Sequence, residues 1–214
     1  MNLPQTLLSI LTIALIVLFP HAGLIPLFGY SVPILFITWL VLRRSDETFA
    51  DIGFSFKRFE PKALLVGVLC AAAIVAFMQL AFNPLLDSIV ELEYDDSGLN
   101  DTIRGGRLQF LLMVVMGWLI GGVYEEIVFH GFVFTRLEKM IKGRYATQIS
   151  FAITSVLFGF YHAQLGSFGV VNAMVIGMGY LGLFLFFKRN LWYSVVCHGA
   201  YNTIIMTMIY LGYL

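Results

Sequence analysis

Apolar runs close to twenty residues long recur along this chain, separated by short polar connections, and they leave few folds open. The runs cover roughly 5–20, 26–42, 63–83, 108–134, 147–165, 168–187 and 191–213. A helix needs about 20 residues to cross ~30 Å of hydrocarbon. The spacing therefore predicts an all-α, polytopic transmembrane bundle of about seven helices, forming a single integral membrane domain over residues 1–214. Only 12% of the residues are charged, about half the share in an ordinary soluble domain. Pro20, His21, Pro26 and Pro33 interrupt the first two runs, which leaves room for a re-entrant pair. The first run has no basic segment before it and no small-residue cleavage site after it, so a retained span is expected rather than a removed signal peptide.

The basic residues predict an orientation. If all seven runs cross, the connections 43–62, 135–146 and 188–190 share one side and hold eleven of the thirteen Lys and Arg, leaving only Arg104 and Arg107 opposite, in an acidic loop. The positive-inside tendency then places the N-terminus in the cytoplasm and the C-terminus outside, in a multi-pass protein of a bacterial cell membrane. Net charge is zero, so no global field points to nucleic acid or to an acidic substrate. Cys70 and Cys197 lie in apolar runs and make no disulfide framework. In the first basic connection, "DIGFSFKRF" alternates apolar and polar residues, as either an interfacial segment or a surface loop with aromatics would.

Five polar side chains inside the runs carry the chemical interest: Glu125, Glu126, His162, His198 and Asn202. An ionisable group at the bilayer centre costs roughly 2.5–3.5 kcal/mol on insertion scales, so partners or function must compensate. Helical spacing puts His198 with Asn202 on one face, and Glu126 with His130 on another as an i,i+4 structural pair, while Glu125 lies ~100° around the helix. Counting ~1.5 Å per residue from the basic side, Glu125 and His198 lie at similar depth. His162 matches them only if its span starts near Phe151 rather than at 147. That start also leaves "HAQLGSFG" partly inside the membrane, where a polar segment must be covered by protein or line a wet cavity. Gly117 and Gly121 have the small-xxx-small spacing of close helix contacts, and Phe158 reads as packing.

One carboxylate, two imidazoles and an amide converging from three helices can activate water. Two neutral imidazoles can bind a divalent metal, and a carboxylate can complete that site or take a proton from water. An amide can donate to an oxyanion. The same groups also fit a proton relay in a transporter or channel.

"EEIVFHG", "FGFYH" and "HGAYN" resemble, in order and spacing, the three motifs E-E-x-x-x-R, F-x-x-x-H and H-x-x-x-N of the CPBP family, the CAAX prenyl protease type II and bacteriocin-processing intramembrane endopeptidases. The resemblance covers a protease core of about residues 108–205. It implies Glu125 as catalytic glutamate, with Glu126 beside it in the catalytic set, and His162 and His198 as catalytic or metal-binding histidines. It also implies Asn202 as the oxyanion-stabilising amide. A Zn²⁺ ion on His162, His198 and Glu125 is one reading of such a site, and a metal-free glutamate mechanism is the other. The implied substrate is a membrane-associated protein or peptide, prenylated or a peptide precursor, that meets the enzyme at the lipid bilayer, with no nucleic acid involved. His130 stands where the family pattern has Arg, which also admits an inactive scaffold or immunity protein.

Overall fold

The computed structural model describes residues 1–24, 28–95 and 98–214, so Pro26, among the interruptions of the early runs, and Asp96 of the acidic loop lie outside the described residues. The described residues form an all-helical bundle. We label the helices α1 (Leu3–Ala22), α2 (Ser31–Arg43), α3 (Lys62–Ile89), α4 (Leu99–Arg104), α5 (Arg107–Met140), α6 (Ala146–Tyr161), α7 (Ala163–Phe186) and α8 (Leu191–Tyr210). Each of the seven apolar runs contains a helix among its described residues. Four of them, α1, α3, α5 and α7, are long and apolar enough to cross a membrane. α2 and α6 are shorter, with 13 and 16 residues. α8 has 20 residues, but Trp192, Ser194, His198, Tyr201 and Asn202 dilute its hydropathy.

The connections show how these helices run. Arg136 meets Glu47 at 2.6 Å, and Lys139 also pairs with Glu47. Arg189 forks onto both oxygens of Glu138 at 2.7 and 2.8 Å, and Arg58 donates to the carbonyls of Lys188 and Arg189. The three basic connections therefore meet on one face, as the charge pattern predicts. At the other face, Arg104 donates to the carbonyls of Ile209 and Leu214, and the backbone of Glu93 and Asp95 bonds to residues 165–168. α3, α5, α6, α7 and α8 thus each run from one face to the other. At 1.5 Å per residue α6 reaches only ~24 Å, short of a ~30 Å hydrocarbon layer, which leaves the turn after it at membrane depth. The aromatic stretch 52–60 belongs to the basic face, where Phe54, Phe56 and Phe59 pack around Trp192 with ring centroids 5.2–5.6 Å apart.

α5 is the central element. Within it, Gly117–Val133 is wound as a π-helix, with the wider i→i+5 register rather than the α-helical spacing expected from sequence. Nearly all of that stretch is buried, while Leu108, Leu111, Leu112, Val115 and Leu119 stay exposed. With similar rows on α1 and α3 (Leu3, Leu7, Leu11; Leu64, Leu65, Leu69) they form an apolar surface suited to lipid. Lipid tails are as apolar as leucine, so helices in a bilayer associate through close packing rather than through the hydrophobic effect. Glycines supply that closeness here. A Cβ on Gly67 of α3 would stand 2.6 Å from Val196 Cγ1 on α8, and one on Gly122 of α5 would stand 3.2 Å from the Val195 carbonyl.

The Glu47–Arg136 pair is the tie whose loss should be felt most, since Arg136 is 1% exposed and its guanidinium also lies over Phe132 at 5.3 Å. Arg136→Met and Glu47→Gln should each destabilise the detergent-solubilised chain by about 3 kcal/mol, the scale of stranding one buried charge. The double variant should lose clearly less than the sum. Denaturation followed by circular dichroism measures this, and strictly additive losses would show that the two residues do not depend on each other.

Candidate active site

α5, α6 and α8 bring together every site residue expected from the sequence. Glu125 and Glu126 lie in the widened stretch of α5, His162 caps the C-terminal end of α6, and His198 and Asn202 project from α8. α6 begins at Ala146, one residue before the apolar run marked in the sequence.

Glu126 is fully buried and uses both carboxylate oxygens. Oε2 accepts from His130 Nδ1 at 2.8 Å, and Oε1 accepts from His198 Nδ1 at 2.9 Å. The first bond is the expected i,i+4 pair. The second was not visible from spacing, because it joins residues 72 apart on different helices. His130 therefore takes a place opposite Glu126 that its position in the motif suggested, but with one nitrogen only; its Nε2 is buried without a partner.

The hydrogen bonds fix which ring nitrogens are free. His162 Nδ1 lies 2.8 Å from the Phe158 carbonyl, which can only accept, so Nδ1 carries the proton. His198 Nδ1 donates to Glu126 by the same logic. Both Nε2 atoms are then lone-pair acceptors in the neutral rings, and each stands 3.8 Å from Glu125 Oε2. That oxygen is itself buried with no hydrogen-bond partner. Three acceptors thus face one another across a distance too long for a direct hydrogen bond. Acceptors do not satisfy one another, so such a point suits a proton donor or a cation.

The donor chemistry, two neutral imidazoles and a carboxylate with each ring held from behind, is of the kind zinc uses. The spacing is less suitable: among the described residues no group of three His, Cys, Asp or Glu side chains is arranged to hold a metal ion. No step is therefore derived through a metal.

Asn202 completes the cluster. Its Nδ2 donates to the Gly117 carbonyl at 3.1 Å, which leaves its second N–H uncommitted by that bond. Gly121 makes room for both α8 groups: a Cβ there would overlap Asn202 Nδ2 and stand 2.9 Å from His198 Nε2. The Gly117 and Gly121 spacing marked in the sequence is thus a close contact placed directly at the site.

Aromatic rings wall the cluster. Phe158 is 2% exposed and lies 4.7 Å from the His162 ring, 5.3 Å from His130 and 6.1 Å from His198. Tyr180 of α7 stacks on His198 at 4.3 Å and 23°. Tyr30 and Tyr161 share a hydroxyl hydrogen bond of 2.9 Å, which ties the start of α2 to the end of α6. Sequence reasoning missed Tyr180 and Tyr30, since neither falls in a motif and nothing in the spacing of α2 or α7 points to this cluster.

The family described as "Type II CAAX prenyl endopeptidase Rce1-like" matches residues 107–204. A protein of Bacillus subtilis (strain 168) named "Putative membrane peptidase YdiL" is 30% identical over 98 residues, which is 45% of this chain and 37% of that protein. The chain thus matches little more than a third of that relative's length. No solved structure matches. The matched segment runs from the start of α5 into α8 and contains Glu125, Glu126, His130, His162, His198 and Asn202. Over residues 107–204, a little under half of its length, the chain is thus similar to the type II CAAX prenyl endopeptidases.

Proposed function

We propose that this chain is an intramembrane endopeptidase in which Glu125 activates a water molecule for attack on a peptide carbonyl. The observation that carries the reading is the convergence of Glu125 Oε2 with two imidazole Nε2 lone pairs at 3.8 Å each. A water at that point donates one proton to the carboxylate and is oriented by an imidazole. As its oxygen bonds to the carbonyl carbon, Glu125 takes the proton, and the carbonyl oxygen gains negative charge. The uncommitted N–H of Asn202 is the donor for that oxyanion. Glu125 then delivers the proton to the amide nitrogen as the C–N bond breaks, giving a carboxylic acid and an amine. Glu126 and His130 touch no reacting atom in this scheme; they hold His198 with its lone pair forward.

A transporter or channel relay would require a chain of alternating donors and acceptors leading across the bundle. The converging acceptors favour a single reaction centre over such a path. The substrate class that suits the setting is a membrane-associated protein or peptide, prenylated or a peptide precursor, because the reacting atoms lie between helices whose outer surfaces are apolar. The family adds weight to a peptide bond as the target.

Glu125→Gln should lower kcat on a membrane peptide by at least ~10³-fold with the chain still inserted, since it removes the general base. His162→Ala and His198→Ala should each come close to the same loss, and the Glu125→Gln/His198→Ala pair should be little worse than either alone, as members of one catalytic unit are non-additive. Glu126→Gln should cost about 10- to 100-fold, the usual range for a group that orients another. Retention of near-normal turnover in Glu125→Gln would overturn the assignment.

The occupant can be tested separately. With water alone between Glu125 and the imidazoles, prolonged EDTA treatment of the solubilised protein should leave activity unchanged while bound metal, measured by mass spectrometry, stays below ~0.1 per chain. Loss on chelation with recovery proportional to added Zn²⁺ would instead assign His162, His198 and Glu125 as metal ligands, with lengths near 2.0–2.1 Å to the imidazole nitrogens.

A further inference from the structure

The turn that follows His162 is covered by a piece of this chain lying in an extended form. Val90, just past α3, has φ −147° and ψ 136°, and residues 90–95 have no helical structure. Their backbone pairs with the turn as a strand pairs with an edge. Phe168 N donates to the Glu93 carbonyl at 3.0 Å, Asp95 N donates to the Leu165 carbonyl at 3.3 Å, and Glu93 N donates to Ser167 Oγ at 3.0 Å. Tyr94 adds an edge-on contact with the Phe168 ring at 5.7 Å. The partner edge is built for close backbone approach. Gly166 has φ +74° and ψ −177°, a region open essentially to glycine, and a Cβ there would overlap the Glu93 carbonyl.

This edge leads straight to the reaction centre. Leu165 N donates to the His162 carbonyl at 3.0 Å, and the other face of His162 presents Nε2 to the unpartnered buried oxygen of Glu125. A protease must hold its substrate extended, and backbone pairing along an edge does so without reading side chains. The strap does not resemble a core element: Glu91, Glu93, Tyr94 and Asp95 are exposed and only Leu92 is partly covered.

We propose that Leu165–Phe168 is the backbone-recognition edge for an extended polypeptide substrate, and that the chain's own segment Val90–Asp95 occupies it as a displaceable strap. The proposal rests on the peptidase reading for the nature of its ligand. Each of the three hydrogen bonds above uses a backbone atom of the strap, which any polypeptide can supply. Substrate must displace the strap before its carbonyl reaches Glu125. Loosening the strap therefore strengthens binding, whereas a merely structural cover would weaken the site when disturbed.

Glu93→Pro removes the N–H that reaches Ser167 and leaves the edge untouched. The probe is a fluorescently labelled hexapeptide with the sequence of residues 90–95, Val-Glu-Leu-Glu-Tyr-Asp, titrated by anisotropy into the full-length protein in detergent. Glu93→Pro should bind it about 3- to 10-fold more tightly than the wild type, the weight of one neutral hydrogen bond. The same peptide should inhibit membrane-peptide hydrolysis competitively. In a Tyr94→Cys/Phe168→Cys variant, oxidation to a verified crosslink should abolish both binding and hydrolysis, and reductant should restore them. Equal or weaker binding by Glu93→Pro, or full activity in the crosslinked form, overturns the proposal. Because binding is read without turnover, tighter binding by Glu93→Pro in a protein that cleaves nothing would sustain the edge and refute the peptidase reading. Glu125-dependent cleavage with no gain in binding would do the reverse.

Discussion

A single buried carboxylate, Glu126, holds the candidate site in register. It is fully buried, and it binds one imidazole from its own helix and one from α8. Removing a carboxylate from water costs several kcal/mol even after relaxation, and hydrogen bonds to a charged group return about 1.5–3 kcal/mol each. Two such bonds are of the order needed to keep the group there. The consequence reaches beyond stability. Since Glu126 accepts a hydrogen bond from the Nδ1–H of His198, the ring's Nε2 lone pair faces Glu125, and the Phe158 carbonyl imposes the same choice on His162. The reactive geometry follows from two acceptors placed behind two rings.

That arrangement requires α5 and α8 to come unusually close, and small residues make this possible. Gly121 faces His198 and Asn202, Gly122 faces the Val195 carbonyl, and on the partner helix Gly199 lies under the Trp118 ring. Packing of this kind serves two ends in a membrane. It supplies the close contact that lipid does not oppose, and it brings polar side chains within reach of one another inside an apolar surrounding. At the basic face, Glu47, Glu138 and the carbonyls of Lys188 and Arg189 bind cations from separate connections. The helix ends that deliver α5 and α8 to the site are thereby tied to one another.

Much of this was legible in the sequence, for identifiable reasons. Apolar run length is a one-dimensional property, so seven of the eight described helices could be marked from it, short polar α4 being the exception, and the clustering of Lys and Arg foretold which connections share a face. Glu125, His162, His198 and Asn202 stood out because ionisable or amide groups are costly within apolar runs, and their order matched a known set of motifs. The pairing of Glu126 with His130 followed from helical spacing. Its second bond, to His198, did not, because contacts between helices depend on rotation and crossing that hydropathy does not encode. The same limit hid Tyr180 on His198 and the strap over residues 165–168. The wide winding of Gly117–Val133 has no signature in residue type that we can identify.

The claim on which the rest depends is the proton placement on His162 and His198, and it can be read directly. Nitrogen-15 spectra of imidazole-labelled protein in micelles, assigned with His162→Gln and His198→Gln variants, report which ring nitrogen carries hydrogen. Both residues should appear as neutral rings protonated at Nδ1 with bare Nε2, and Glu126→Gln should disturb His198 while leaving His162 as it was. Rings protonated at Nε2, or a His198 signal indifferent to Glu126, would contradict the arrangement and with it the assignment of Glu125 as the base that faces them.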